Sequence, residues 1–120
     1  MKTTELMIND WVLYREEVLR VTSLYTKRGA NEIGFGESEN FWVDISNIEP
    51  IPLTPEILEK NGWETEYFGR RQEWWLDKTK FPIVRYSAND ALQHNGMVLK
   101  YVHQLQHALK LLGIEKEIEL

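Results

Sequence analysis

The chain has 120 residues, 42% of them hydrophobic, and a formal net charge of −5. That length supports one core, or one core divided between two lobes, and the acidic balance argues against a general nucleic-acid binder, because phosphate contact needs surplus cations. There is no cysteine, so disulfides and thiolate metal sites are excluded outright. No apolar run approaches the roughly 20 residues of a membrane span. The start, MKTTELMIND, lacks the apolar stretch of a signal peptide. A soluble, cytoplasmic protein is expected. Aromatic residues make up 12% of the chain, and such rings suit the centre of a small barrel or the face of a sheet.

The first fifty residues read as short strands. Asn9-Asp10 marks a turn or strand start before Trp11, Val12, Leu13 and Tyr14, and Arg15-Glu16-Glu17 is a polar break. From Val18 to Tyr25 both alternating sets are rich in β-formers, which predicts a strand buried on much of both faces. Lys27 to Asn31 reads as a turn, Ile33 and Phe35 as a third strand, and Gly36 to Asn40 as another turn. Phe41, Val43 and Ile45 form the inward set of a fourth strand, and Ser46 to Pro50 a tight helical turn. Short strands closed by such a turn predict an SH3-like barrel over residues 1–52.

Ile51-Pro52-Leu53 is a stiff connector to a second lobe, residues 53–120. Thr54-Pro55-Glu56 is a helix start: threonine at the N-cap, proline at the first helical position, acid in the first turn. That helix stops near Asn61-Gly62. Trp63 to Phe68 and Gln72 to Asp77 are strands joined through Gly69-Arg70-Arg71, and Asp77 to Lys80 is a turn. Pro82 is expected only at the start or the edge of the next strand, which runs through Ile83 to Tyr86. Ser87 to Gln93 is ambiguous, and Asn95-Gly96 is a two-residue hairpin turn.

The run YVHQLQHALKLLG predicts an amphipathic helix. At about 100° per residue, Tyr101, Val102, Leu105, Ala108, Leu109 and Leu112 share an apolar stripe, with His103, Gln106, His107 and Lys110 opposite. Gly113 stands where a C-terminal cap wants positive φ, and Lys110 lies in the last turn. The closing IEKEIEL reads as a short strand that covers a sheet edge or docks beside the helix.

Three stretches together resemble a family of small uncharacterised proteins common in Bacteroidetes genomes, phages and mobile elements. They are LMINDWVLY with VLRVTSLY, IEPIPLTPEILEKNGW, and YVHQLQHALKLLGIEKEIEL. The resemblance implies a cytoplasmic protein encoded by a mobile element, and it supplies no catalytic residues.

Few constellations could carry chemistry. His103 and His107 have the four-residue spacing of a shared metal site, but the helix offers no third ligand and Lys110 lies one turn away. No metal and no cofactor is expected. Arg70, Arg71 and Trp74 could track a phosphate backbone and stack a base. Trp74 and Trp75, however, point to opposite faces of a strand, and Glu64, Glu66 and Glu73 surround the arginines. No nucleophile motif or glycine-rich phosphate loop is present, so the chain reads as non-enzymatic.

What remains is binding to protein. His103, Gln104, Gln106 and His107 form the candidate partner-binding face, and unpaired sheet edges offer strand addition or a homodimer. The sequence therefore predicts an α+β chain: an N-terminal SH3-like β-barrel, then a small antiparallel sheet covered by a C-terminal helix. The function it supports is a protein-interaction module of a mobile element, with no membrane. The runner-up is a nucleic-acid-associated accessory protein using the barrel and the Arg70–Trp75 region.

Overall fold

The computed structural model describes residues 6–27, 30–35, 42–77, 80–87 and 89–120. The turns expected at Arg28-Gly29, Gly36 to Asn40 and Lys78-Thr79, and the inward placing of Phe41, lie outside that set. The chain divides into two compact units, Met1–Ile51 and Pro52–Leu120. Each holds one five-stranded antiparallel sheet, and the second adds the helices, giving an α+β protein.

In the first unit, β1 (Trp11–Tyr14), β2 (Glu17–Lys27), β3 (Ala30–Phe35), β4 (Trp42–Asp44) and β5 (Ile48–Pro50) take the order β4-β3-β2-β1-β5. Among the described residues the outer strands β4 and β5 do not pair, so the sheet is not closed into a barrel. Tyr14 faces Glu17 across a two-residue turn in which Arg15 and Glu16 hold φ of 49° and 67°. That mirror-image turn normally calls for Asn-Gly, which is why the polar break gave no hairpin signal.

Asp10, 2% exposed, closes the entry to β1. Its Oδ2 accepts from Met7 N at 2.7 Å, and its carbonyl accepts from Val21 N at 2.9 Å. The core gathers Leu6, Val12, Val21, Ile33, Phe35 and Val43, with Tyr14 stacked on Phe35 at 6.4 Å. The strand β2 is not buried on both faces as its composition suggests: Val18 is 45% exposed while Val21 is fully enclosed. A 3₁₀ turn, Ile45–Asn47, separates β4 from β5. Asp44 caps it by accepting from Ser46 N at 2.8 Å. That backbone hydrogen bond, helped by the Ser46 hydroxyl, holds the Asp44 carboxyl below its ordinary value.

The second unit begins with α1 (Pro55–Lys60), capped as expected by Thr54, whose Oγ1 accepts from Ile57 N at 3.3 Å. Its sheet runs β10-β9-β8-β7-β6, with β6 Trp63–Phe68, β7 Arg71–Leu76, β8 Lys80–Tyr86, β9 Asn89–His94 and β10 Met97–Val98. From Asn89 onward the ambiguous stretch is thus the strand β9. Pro82 lies neither at a strand start nor at a sheet edge. It sits inside β8, where the register with β7 slips between Trp74 and Leu76 and Phe81 has φ of 45°. A bulge excuses proline from the ladder. Two side chains satisfy the carbonyls left over there: Trp63 Nε1 donates to Phe81 O at 3.2 Å, and His94 Nδ1 lies 2.7 Å from Pro82 O. A carbonyl only accepts, so Nδ1 carries the imidazole proton. His94 also stacks flat on Phe81, 3.9 Å between centroids.

The final helix, α2 (Val102–Leu111), ends in a Schellman motif: Gly113 N donates to Lys110 O at 3.1 Å and Ile114 N to Leu109 O at 2.9 Å. Gly113 has φ of 70°, and a Cβ built there meets nothing within 4 Å. Gly113→Ala is therefore expected to cost about 1 kcal/mol through backbone strain alone, read as a lower urea midpoint with an unchanged slope. An unchanged midpoint would show that the left-handed turn is not required.

Leu112, assigned by periodicity to the stripe, falls past the helix and is 57% exposed. The closing residues form no strand. Ile118, 1% exposed, anchors them, and Asn61 grips the neighbouring residue: Asn61 Nδ2 donates to Glu119 O, and Glu119 N donates to Asn61 Oδ1, both at 2.7 Å.

Candidate functional site

Register sorts the second sheet into two unlike faces, because directly paired residues share a face. One face carries Trp63, Trp74, Leu76, Ile83 and Leu92, all buried, and with Leu58, Val102, Leu105, Leu109 and Ile118 these make up the apolar interior of the unit. The opposite face carries the row Phe68–Arg71–Tyr86 and, further along β7, Trp75. Phe68 and Tyr86 are 45% and 47% exposed, and Val98 on the same side is 39% exposed. That is a large apolar surface for one row of a sheet.

This outer face is organised. Phe68 meets Trp75 edge-on at 6.0 Å, and the Arg71 guanidinium lies over Phe68, 5.5 Å from its centroid. Arg71 Nε also reaches Glu73 Oε1 at 3.1 Å. The pair is partly exposed and contributes little stability, but it fixes where the guanidinium stands. The result is an aromatic patch bordered by one arginine and by the acids Glu64, Glu66 and Glu73 on the same face, a mix that suits a protein-contact surface.

One corner of the inner face is polar. Tyr67, Gln72 and Arg85 pair in a row across β6, β7 and β8. Thr65 Oγ1 donates to Glu73 O at 2.9 Å, Gln72 Nε2 donates to Thr65 Oγ1 at 2.9 Å, and Arg85 Nη2 donates to Gln72 Oε1 at 2.7 Å. The guanidinium rests over the Trp74 ring at 5.4 Å. Tyr67, in the same row, is 73% exposed, so this corner is open to water.

The residues singled out from sequence fare unevenly. Trp74 is fully buried and cannot stack a base. Arg71 belongs to the other face, beside Trp75, and Arg70 lies exposed in the β6–β7 turn. The expected trio of Arg70, Arg71 and Trp74 therefore does not assemble.

The helix face changes more. His103 is only 5% exposed, so it is no part of a solvated row. Its ring stacks on Tyr101 at 5.8 Å and meets His107 edge-on at 5.6 Å. Gln104 is spent locally, its Oε1 accepting from Lys100 N at 2.7 Å and Tyr101 N at 3.1 Å, the returning half of a capping box. Gln106 and His107 are half-buried. A periodicity argument assigns polar residues to water by default, and it fails where the helix is enclosed on more than its apolar stripe. Among the described residues, no group of three His, Asp or Glu side chains stands where it could hold a metal ion.

What the sequence missed was the outer aromatic face. Its signal was present in the alternation Phe68, Arg71, Trp75, but choosing between Trp74 and Trp75 required knowing which face the rest of the unit covers. Among the described residues no helix is long and apolar enough to cross a membrane. Compared with protein-family models, curated proteins and solved structures, the chain matches none.

Proposed function

We propose that this chain is a non-enzymatic protein-interaction module, and that the outer face of its second sheet is the docking surface. The carrying observation is the row Phe68–Arg71–Tyr86 with Trp75: half-exposed rings held by edge and cation–π contacts and bordered by a fixed ion pair. Rigid aromatics with an arginine are the residue types that concentrate binding energy at protein interfaces. The polar groups best suited to catalysis have structural work instead: His94 holds a bulge, Asp10 an entry loop, and Gln104 a cap.

The first unit belongs to this proposal as an SH3-like lobe. Its support is the order β4-β3-β2-β1-β5, the long β2 between both ends of the sheet, and the 3₁₀ turn between β4 and β5. The setting we propose, the cytoplasm of a host carrying a mobile element, rests on the resemblance described above.

The test is affinity capture from the native host with the wild-type chain and a Phe68→Gln/Tyr86→Gln variant. A specific partner recovered with the wild type should fall at least tenfold with the variant, a loss of about 1.4 kcal/mol. Equal recovery would remove this face from the proposal. Titration with single- and double-stranded DNA at low and moderate salt covers the runner-up. Salt-sensitive binding weakened by removing Arg70 and Arg71 would transfer the assignment to nucleic acid.

A further inference from the structure

We propose that Arg85, on the inner corner of the second sheet, is the anchor of a carboxylate-binding site, independent of the outer aromatic face. Glu66 and Glu73 occupy the opposite face by register, Asp90 follows Asn89, the cross-strand partner of Tyr86, on the neighbouring strand, and Arg85 makes no ion pair with it or with any other acid among the described residues. A partly enclosed guanidinium without an ion-paired partner is costly unless something else stabilises it.

Here that something is a relay built to aim it. Gln72 is 8% exposed, and both ends of its amide are committed: Nε2 donates to Thr65 Oγ1 and Oε1 accepts from Arg85 Nη2. Thr65 is in turn tied to the backbone at Glu73 O. The amide cannot flip without breaking both contacts, so its oxygen faces the arginine permanently. The Trp74 ring supplies the floor at 5.4 Å.

Of the guanidinium's five N–H groups, only one on Nη2 has a partner among the described residues. Two adjacent donors on one edge of a planar fork match the two oxygens of a carboxylate. A preorganised fork loses little rotamer freedom on binding, which is the usual cost of arginine contacts. Tyr67, in the same row on the far side of Gln72, is exposed, so the row is open to water at that end. The ligand class is a peptide carboxylate, from a chain terminus or from an Asp or Glu side chain.

Nitrogen-15 NMR titration of the full chain tests this directly, watching the Arg85 Nε–H and Trp74 Nε1–H resonances. The probes are an acetylated tetrapeptide with a free terminal carboxylate, the same peptide amidated, an amidated peptide with one internal Glu, and inorganic phosphate. Saturable shifts at both resonances with either carboxylate peptide, and none with the amidated control, are expected. The two carboxylate arms identify the source. Arg85→Gln should weaken binding at least tenfold, and Arg85→Lys should weaken it while keeping the charge, because lysine lacks the fork. No saturable shift with either carboxylate peptide, equal affinity for phosphate, or unchanged binding in Arg85→Gln would each overturn the site. If the variants do not fold, the wild-type shifts at the Arg85 side chain decide alone.

Discussion

Trp74→Ala is expected to destabilise the second unit by about 3–5 kcal/mol, the range for removing a fully enclosed large aromatic. The ring is 0% exposed and stands on β7 between Thr65 of β6 and Ile83 of β8. Truncation leaves a cavity in the middle of the sheet, where the paired backbone limits collapse. It also removes the surface on which the Arg85 guanidinium rests. Trp74→Phe separates the two contributions. It keeps most of the volume and deletes an indole N–H that has no acceptor among the described residues, so its cost should be well under half that of alanine. Urea unfolding followed by circular dichroism, with hydrogen exchange at β7 amides, measures both. A loss below about 1 kcal/mol for the alanine variant would mean that this ring does not centre the unit.

Asn61→Ala is the second large effect, at about 2–3 kcal/mol for three hydrogen bonds at roughly 1 kcal/mol each. Asn61 is 4% exposed, and its amide spans Ile57 O at 2.8 Å and both backbone groups of Glu119 at 2.7 Å. The side chain thus does for the closing residues what a neighbouring strand does elsewhere. Losing it should release Ile118 from its buried seat, and the Glu119 amide should lose its exchange protection before the sheet does. Asn61→Asp is a stringent companion. It keeps an acceptor for Glu119 N but places carboxylate oxygen against two carbonyls, so it should be at least as damaging. Retained protection at Glu119 in the alanine variant would refute the clamp.

The legible parts of the fold were those specified by local chemistry. Thr54-Pro55 started α1 and Gly113 stopped α2, because caps act within a few residues of where they are written. The strands β6 and β7 followed from their aromatic alternation. The features that sequence obscured depend on distant partners. Pro82 was misplaced because a tryptophan and a histidine from other strands take over the carbonyls of the bulge. The alternating charges of the closing segment suggested a strand, yet both backbone groups of Glu119 are held by one asparagine side chain. The candidate site obeyed the same rule. Opposite faces for Trp74 and Trp75 followed from strand geometry, whereas which face is enclosed is a property of the whole unit. His103 shows the converse: a polar residue on a polar arc, enclosed nonetheless.

The Phe81–Pro82 bulge has a bearing on tolerance to change. Its carbonyl oxygens are satisfied by side chains 18 and 12 positions distant in the chain, across two different strands. Positions 63 and 94 are therefore constrained by hydrogen-bond donors as much as by volume. A phenylalanine at position 63 would fill the space and still strand the buried Phe81 oxygen, and one at position 94 would leave the Pro82 oxygen without its donor. Drift in the interior of this sheet is open to one apolar ring exchanging for another at most sites, and closed at these two. The strands β6, β8 and β9 are thereby tied together at one point, through a proline that could not have joined the ladder by itself.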